Sequence, residues 1–458
     1  MQNKKLTDGK LLLNILLFSF PLMLSGVLQL LFNAADTIVV GRFAGKISLA
    51  AVGSTTSLIH LIVNLFIGLS VGANVVAAHF IGAEKSKETN DAMHTAIALS
   101  FLCGILLAVI GLIFSPLFLR LMGSPEDVIT LASKYMRIYF LGMPVLMIYN
   151  FGSAVLRAAG NTKHPLYYLV VAGIINVGLN LLFVIVFNMG VVGVGLATTL
   201  SQCVSAFLIL AKLRDGTCGL EFSLSKLQLN KAIILRMVKI GVPAGVGGVL
   251  FSLSNVVIQS AVNSFGSVVI AGCSAAANIE GFLYAATNCF YHAGLTFTGQ
   301  HIGAGKYKRI PKILLCCVGS AFVVCMILSG GVCVFGKSLA AIYSTDLQVI
   351  EVAAQRLLII CSGYVLCSVM DVIPGIIRGM GYSIMPTIIT LTGACAFRII
   401  WVATIFQCFK TLKSLLIAYP FSWGITIVAH LIFFSVVNKK LASHKALNLD
   451  DNVSYRSN

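Results

Sequence analysis

Asp36 stands in an apolar run long enough to cross a bilayer, and a carboxylate in such a place marks a path for a cation or a proton. Asn176 and Asn180 are four apart, so one helical face presents both carboxamides. Two carboxamides beside a carboxylate would form a small oxygen-rich site for either ion. Thr198 or Thr199 could close it with a hydroxyl, although threonine is common in helices. Two plainer readings stand beside this one. Asp36 pairs with Arg42 at the interface, or the two asparagines merely tie helices together.

Other polar residues fall into two matching seams. Ser25, Gln29, Asn33 and Asp36 are spaced 4, 4 and 3, and Ser252, Asn255, Gln259 and Asn263 are spaced 3, 4 and 4. Each set shares a helical face. Gln29, Asn33, Asn255 and Gln259 are therefore candidate lining residues of an aqueous cleft, with interhelical hydrogen bonding as the alternative. The second half of the chain adds Glu280, Asp371 and Arg398, and the equivalents of the last two in the first half are Asn150 and Val177. The expected arrangement is a salt-bridged cluster in which Arg398 neutralises one acid. A cation site or a counter-charge for a substrate is the alternative. No nucleophile and base stand together, and no His or Cys spacing suggests a metal. Gly305-Lys306 is followed by Tyr307, which excludes a phosphate-binding loop. The chain is read as neither an enzyme nor a cofactor or metal protein.

The elements that must position these groups are membrane helices. Hydrophobic residues make up 58% of the 458 and charged residues 10%, against about 25% charged in soluble domains. Twelve spans are expected near 11–40, 48–80, 92–115, 133–156, 164–187, 191–212, 235–262, 268–297, 313–336, 350–376, 386–407 and 413–437. Several exceed 25 residues and so must tilt or kink. Pro21 and Pro243, early in spans 1 and 7, each remove a backbone donor and bend their helix. The first run is too long for a signal-peptide core and is expected to stay as an uncleaved helix. The net charge of +17 is spread over short loops without a stripe or interleaved aromatics, which excludes nucleic acid as a partner. The 13 cysteines lie mostly in apolar runs and read as small, reduced hydrophobes.

The second half repeats the first. Ile81-Gly82-Ala83-Glu84-Lys85 returns as Ile302-Gly303-Ala304-Gly305-Lys306, and Arg157 with Gly160 and Pro165 returns as Arg378 with Gly381 and Pro386, both at an offset of 221. Pro21, Asn33 and Phe43 return as Pro243, Asn255 and Phe265 at 222. So long a period is a duplicated domain. With both termini in the cytoplasm, 22 basic residues fall inside and eight outside, with Arg356 and Arg398 in apolar segments. Six spans per half make the repeats parallel. The expected organisation is an N-lobe over 1–212, a cytoplasmic linker over 213–234, a C-lobe over 235–440 and a cytoplasmic tail over 441–458. Loops 82–91 and 303–312 would be matched cytoplasmic loops, and the Arg157 and Arg378 motifs would make tight turns at the cytoplasmic ends of spans 4 and 10.

These residues together resemble the multidrug and toxic compound extrusion (MATE) transporters along nearly the whole chain. The resemblance is carried by Pro21 with Asp36-Thr37, by the two (Gln/His)-x-Ile-Gly-Ala-x-Lys loops, by Arg157-x-x-Gly160-Asn161, by Asn176-x-x-x-Asn180 and by Arg378-Gly-x-Gly381. It implies an all-α polytopic membrane protein with 12 transmembrane helices in two parallel-repeat six-helix bundles, arranged as a V. It implies antiport, in which inward flow of H+ or Na+ drives export of small organic, often cationic, compounds. It places ion coupling in the N-lobe on Asp36, Asn176, Asn180 and, as in some members, Thr198. The setting it implies is the inner cytoplasmic membrane, with a monomer as the working unit. The chain departs from parts of the family: Asn180 stands where some members carry Asp, Phe251 and Ser252 where others carry a cation-binding Glu, and Asp371 does not align with their acidic residue.

Two rival readings stand beside this one. A flippase of the same superfamily, moving a lipid-linked sugar or peptidoglycan precursor, would favour a large basic cleft, whereas the candidate lining here is Ser, Asn, Gln and Asp. A membrane enzyme or receptor would need a catalytic constellation or a sensory domain.

Overall fold

The computed structural model describes residues 6–122, 126–216 and 219–454. Among the described residues every regular element is helical. The order is α1 (Leu11–Val39), α2 (Lys46–Gly82), α3 (Ser86–Leu121), α4 (Glu126–Leu141), α5 (Met143–Ala158), α6 (Lys163–Leu181), α7 (Gly190–Arg214), α8 (Lys231–Asn263), α9 (Ser267–Gly303), α10 (Ile310–Ala341), α11 (Leu347–Gly379), α12 (Ile384–Thr390), α13 (Phe397–Ala403), α14 (Ile405–Cys408) and α15 (Leu412–Ser454). Among the described residues eleven helical runs are long and apolar enough to cross a membrane. A bent pair, Val128–Leu141 with Met143–Ala158, makes up to 12 when it is counted as one span.

That bend corrects the expectation of one continuous helix over 133–156. The chain turns by 47° there, and Pro144 explains it. Proline lacks an N–H, and its ring clashes with the carbonyl four residues back, here that of Phe140. The expected loops at 82–91 and 303–312 are also shorter, because α2 continues to Gly82, α3 begins at Ser86 and α10 at Ile310. Gly190, Gly193 and Gly195 open α7.

The described residues divide into two compact units, 20–81 with 85–249 and 6–19 with 82–84 and 250–454. In the first, α3, α4 and α5 pack together and α7 packs on α4, α5 and α6. Glycines let α8 meet α2 at backbone distance. A Cβ on Gly68 would strike the backbone of Gly245, and one on Gly72 the carbonyl of Met237. Small residues at such crossings are how membrane helices gain close packing. In the second unit α9, α10 and α15 surround α11. Its core holds Ile279, Leu357, Ile360, Met370 and Trp423.

The backbone repeats as the sequence does. Gly45, Glu84 and Gly160 have φ of 83°, 59° and 84°, and their counterparts Gly266, Gly305 and Gly381 have 92°, 66° and 93°. Gly160 N–H donates to Arg157 O at 2.8 Å and Asn161 N–H to Leu156 O at 2.9 Å. Gly381 donates to Arg378 O at 2.8 Å and Tyr382 to Ile377 O at 3.2 Å. Both are helix ends closed by a left-handed glycine, the tight turns expected after the two arginines.

Candidate functional site

Asp36 sits in the last turn of α1, Asn176 and Asn180 on α6 and Thr198 on α7. The fold joins all four. Asn180 Nδ2 donates to Asp36 Oδ1 at 2.5 Å and to Asn176 Oδ1 at 3.2 Å. Asn176 Nδ2 donates to Thr198 Oγ1 at 3.4 Å, and Thr198 Oγ1 donates back to Val194 O at 3.0 Å. Thr199 turns elsewhere, to the carbonyl of Ile138 at 3.3 Å. Both asparagines are buried, and Asn180 Oδ1 is an enclosed acceptor without a partner among the described residues. No ion pair among the described residues joins Asp36 to Arg42, so the plainer reading of that carboxylate does not hold.

Two features bring these helices together. Gly173 lies on α6 one turn before Asn176, and the ring of Phe32, one turn before Asp36, fills the place where a Cβ would stand. Any side chain at 173 would push α1 away from α6. The second feature is a π-helical turn a few residues after two of the polar positions, Val40–Ala44 after Asp36 and Leu182–Val186 after Asn180. Such turns are rare and frequent at functional sites, because they widen the helix and re-aim its neighbours. Neither the glycine contact nor the π turns carried a pattern in the sequence.

The arrangement presents a carboxylate, two carboxamide oxygens and a hydroxyl within one hydrogen-bonded chain. Hard cations such as Na+ take oxygen donors of this kind, and the carboxylate can also take up a proton. Among the described residues no three or more His, Cys, Asp or Glu converge on a metal ion.

Of the seam residues, Gln29 and Asn33 are exposed. Asn255 is also exposed yet accepts from Arg398, and Gln259 Nε2 donates to Asn263 Oδ1 at 3.0 Å. Ser25 Oγ donates to Pro21 O at 2.9 Å.

The charged residues of the second unit depart from expectation. Glu280 is paired, but with Arg356: Nε and Nη2 each lie 2.8 Å from a carboxylate oxygen, in a two-pronged bridge between α9 and α11. Arg356 had figured in the sequence only as a basic residue inside an apolar run. Asp371 lies within hydrogen-bonding reach of Tyr284 and Asn288, and Asn288 Nδ2 donates to Tyr284 Oη at 3.2 Å. Arg398 neutralises neither acid. It is 1% exposed, and its partners are neutral: Ser422 Oγ at 3.0 Å, Asn255 Oδ1 at 3.2 Å and the faces of Tyr419 and Phe251.

Comparison with known proteins places this architecture. The MatE family model matches twice, over residues 21–182 and 243–404. A probable multidrug resistance protein of Bacillus subtilis, YoeA, is 28% identical over 93% of this chain and 93% of its own. An FAD transporter of Shewanella oneidensis is 27% identical over 78% of this chain and 79% of its own. Among solved structures, an outward-facing multidrug resistance MATE transporter superposes with a TM-score of 0.90 at 21% identity, covering 97% of this chain and 99% of that one. A transporter of the same superfamily from Pyrococcus furiosus, described as having a binding pocket of reversed polarity, gives 0.89 at 23% identity, covering 97% and 99%.

Proposed function

The chain belongs to the MATE family of transporters, and from that premise we propose that it is a secondary antiporter that exports small organic compounds in exchange for H+ or Na+. It is a transporter and not an enzyme. The related proteins of Bacillus subtilis and Staphylococcus aureus, named for multidrug resistance and multidrug export, support efflux of drug-like compounds. The observation that carries ion coupling is the hydrogen-bonded chain from Asp36 through Asn180 and Asn176 to Thr198.

In this reading the coupling ion engages Asp36 and competes with the Asn180 amide for the carboxylate. Asn180 Oδ1, buried and without a partner among the described residues, is a further ligand for a cation. Ion occupancy bends α1 near Pro21, where the helix passes from one compact unit to the other, and weakens the hold on cargo. Release of the ion on the other side restores cargo binding. Alternating access of this kind requires that ion and cargo favour different states, since a ligand with equal affinity for both moves nothing. The protein acts as a monomer in the cytoplasmic membrane, with both termini, the 213–234 linker and the 441–458 tail in the cytoplasm, between and after lobes 1–212 and 235–440. Gln29, Asn33, Asn255 and Gln259 face the cargo path.

The test is efflux of ethidium from proteoliposomes under an imposed Na+ gradient and, separately, an imposed proton gradient. Transport driven by one gradient and abolished when it is collapsed supports antiport and names the ion. Efflux indifferent to both gradients contradicts it.

A further inference from the structure

Of the three buried arginines of the second unit, Arg356, Arg378 and Arg398, the first and the last, which is the most enclosed, differ in one respect. Arg356 is 6% exposed and has a carboxylate on two of its nitrogens. Arg398 is 1% exposed, and no carboxylate among the described residues pairs with it. A guanidinium stays charged at any physiological pH, so Arg398 is a buried charge without a paired carboxylate. Taking a charge out of water is costly unless an opposite charge meets it. The neutral partners of Arg398 satisfy only part of its donor fork. Nε serves Ser422 Oγ, Nη1 serves Asn255 Oδ1, and Nη2, also buried, has no acceptor among the described residues.

The surroundings hold that fork in place. The Tyr419 ring centre lies 4.3 Å from the guanidinium carbon and that of Phe251 5.3 Å. Aromatic faces stack on the guanidinium plane and leave its N–H edges for an acceptor. Asn255, on Nη1, is exposed, so one neighbour of the fork reaches the surface. A π-helical segment, Leu391–Ala396, ends two residues before Arg398, as other π turns follow Asp36 and Asn180.

We propose that Arg398 forms a binding site for an organic oxyanion, a carboxylate or a phosphate, which enters from the Asn255 side and is met by Nη2 and Nη1. The anion supplies the charge that Glu280 supplies to Arg356, and displaces the Asn255 carboxamide from Nη1. The cargo of this transporter then includes compounds with an anionic group. The inference rests on the efflux reading only in calling the ligand cargo.

The experiment is calorimetric titration of the purified full-length protein in phosphatidylcholine nanodiscs with 2-naphthoate and its neutral isostere 2-naphthamide. A charge-assisted contact at Arg398 predicts binding of naphthoate about tenfold tighter than of the amide. Arg398→Gln should erase that preference and Arg398→Lys should keep part of it. Equal affinity of folded wild-type protein for the two compounds overturns the proposal without recourse to any variant. A full naphthoate preference in Arg398→Gln overturns it as well. Nanodiscs of phosphatidylglycerol separate the sources of the anion: loss of naphthoate binding there, with retention in phosphatidylcholine, assigns the same site to a lipid phosphate. These titrations use no gradient, so a failure of ethidium efflux in wild type would count against antiport and leave the anion site standing.

Discussion

Asn180 Nδ2 donates a 2.5 Å hydrogen bond to Asp36 Oδ1, joining residues 144 positions apart in the chain. The contact exists because Phe32 on α1 packs into the space that Gly173 leaves on α6. Local composition, helix packing and the candidate ion site are thus linked through one missing side chain.

That link can be cut without touching a polar residue. Gly173→Leu should separate α1 from α6 and pull Asp36 away from Asn180, while Asn180→Ala should remove the amide and leave the helices in place. Each takes the Asn180 oxygen from the site, so with Na+ as the coupling ion the apparent affinity is expected to fall about tenfold, whereas with H+ the loss of the competing amide should raise it. Ion-concentration dependence of ethidium efflux reads this. Unchanged ion dependence in a folded Gly173→Leu protein would show that the Phe32–Gly173 contact does not position Asp36.

The Glu280–Arg356 bridge predicts stability. Both side chains are largely enclosed, at 13% and 7% exposure. Removing one partner strands the other charge, so Glu280→Gln should lower stability by about 3 kcal/mol, while the double change Glu280→Leu with Arg356→Met should recover most of it. Thermal unfolding in detergent compares the three. A single variant as stable as wild type would mean that the bridge contributes nothing to the fold.

The repeated helix ends predict a matched pair of costs. Gly160 and Gly381 hold φ of 84° and 93°, where a Cβ meets the backbone, so Gly160→Ala and Gly381→Ala should each cost about 1 kcal/mol. Gly319, within α10 and facing open space, is the control. Alanine there should be neutral or favourable by up to about 1 kcal/mol. Equal melting shifts for all three would contradict the assignment of strain to the left-handed positions.

Much of this was legible in the sequence, and the remainder was hidden for definite reasons. A carboxylate in an apolar run and two asparagines four apart mark residues by type and spacing alone, and the structure brings them into contact. Spans follow from apolar length, except where Pro144 bends the fourth into α4 and α5. Side-chain pairing across helices was not legible. Arg398 looked like the natural partner of an acid, yet the close packing of α9 on α11 sets Arg356 opposite Glu280 and leaves Arg398 to aromatic rings. The π turns next to Asp36, Asn180 and Arg398 left no sequence signature either, because they depend on hydrogen-bond register rather than on residue type.

The central claim is that Asp36 couples ion entry to cargo exit. Its most direct test is gradient-driven ethidium efflux by Asp36→Asn beside wild type in the same proteoliposomes, with folding checked by thermal unfolding. The account predicts that the variant inserts and folds but loses efflux driven by the coupling gradient. Full gradient-driven efflux by the folded Asp36→Asn protein would contradict it.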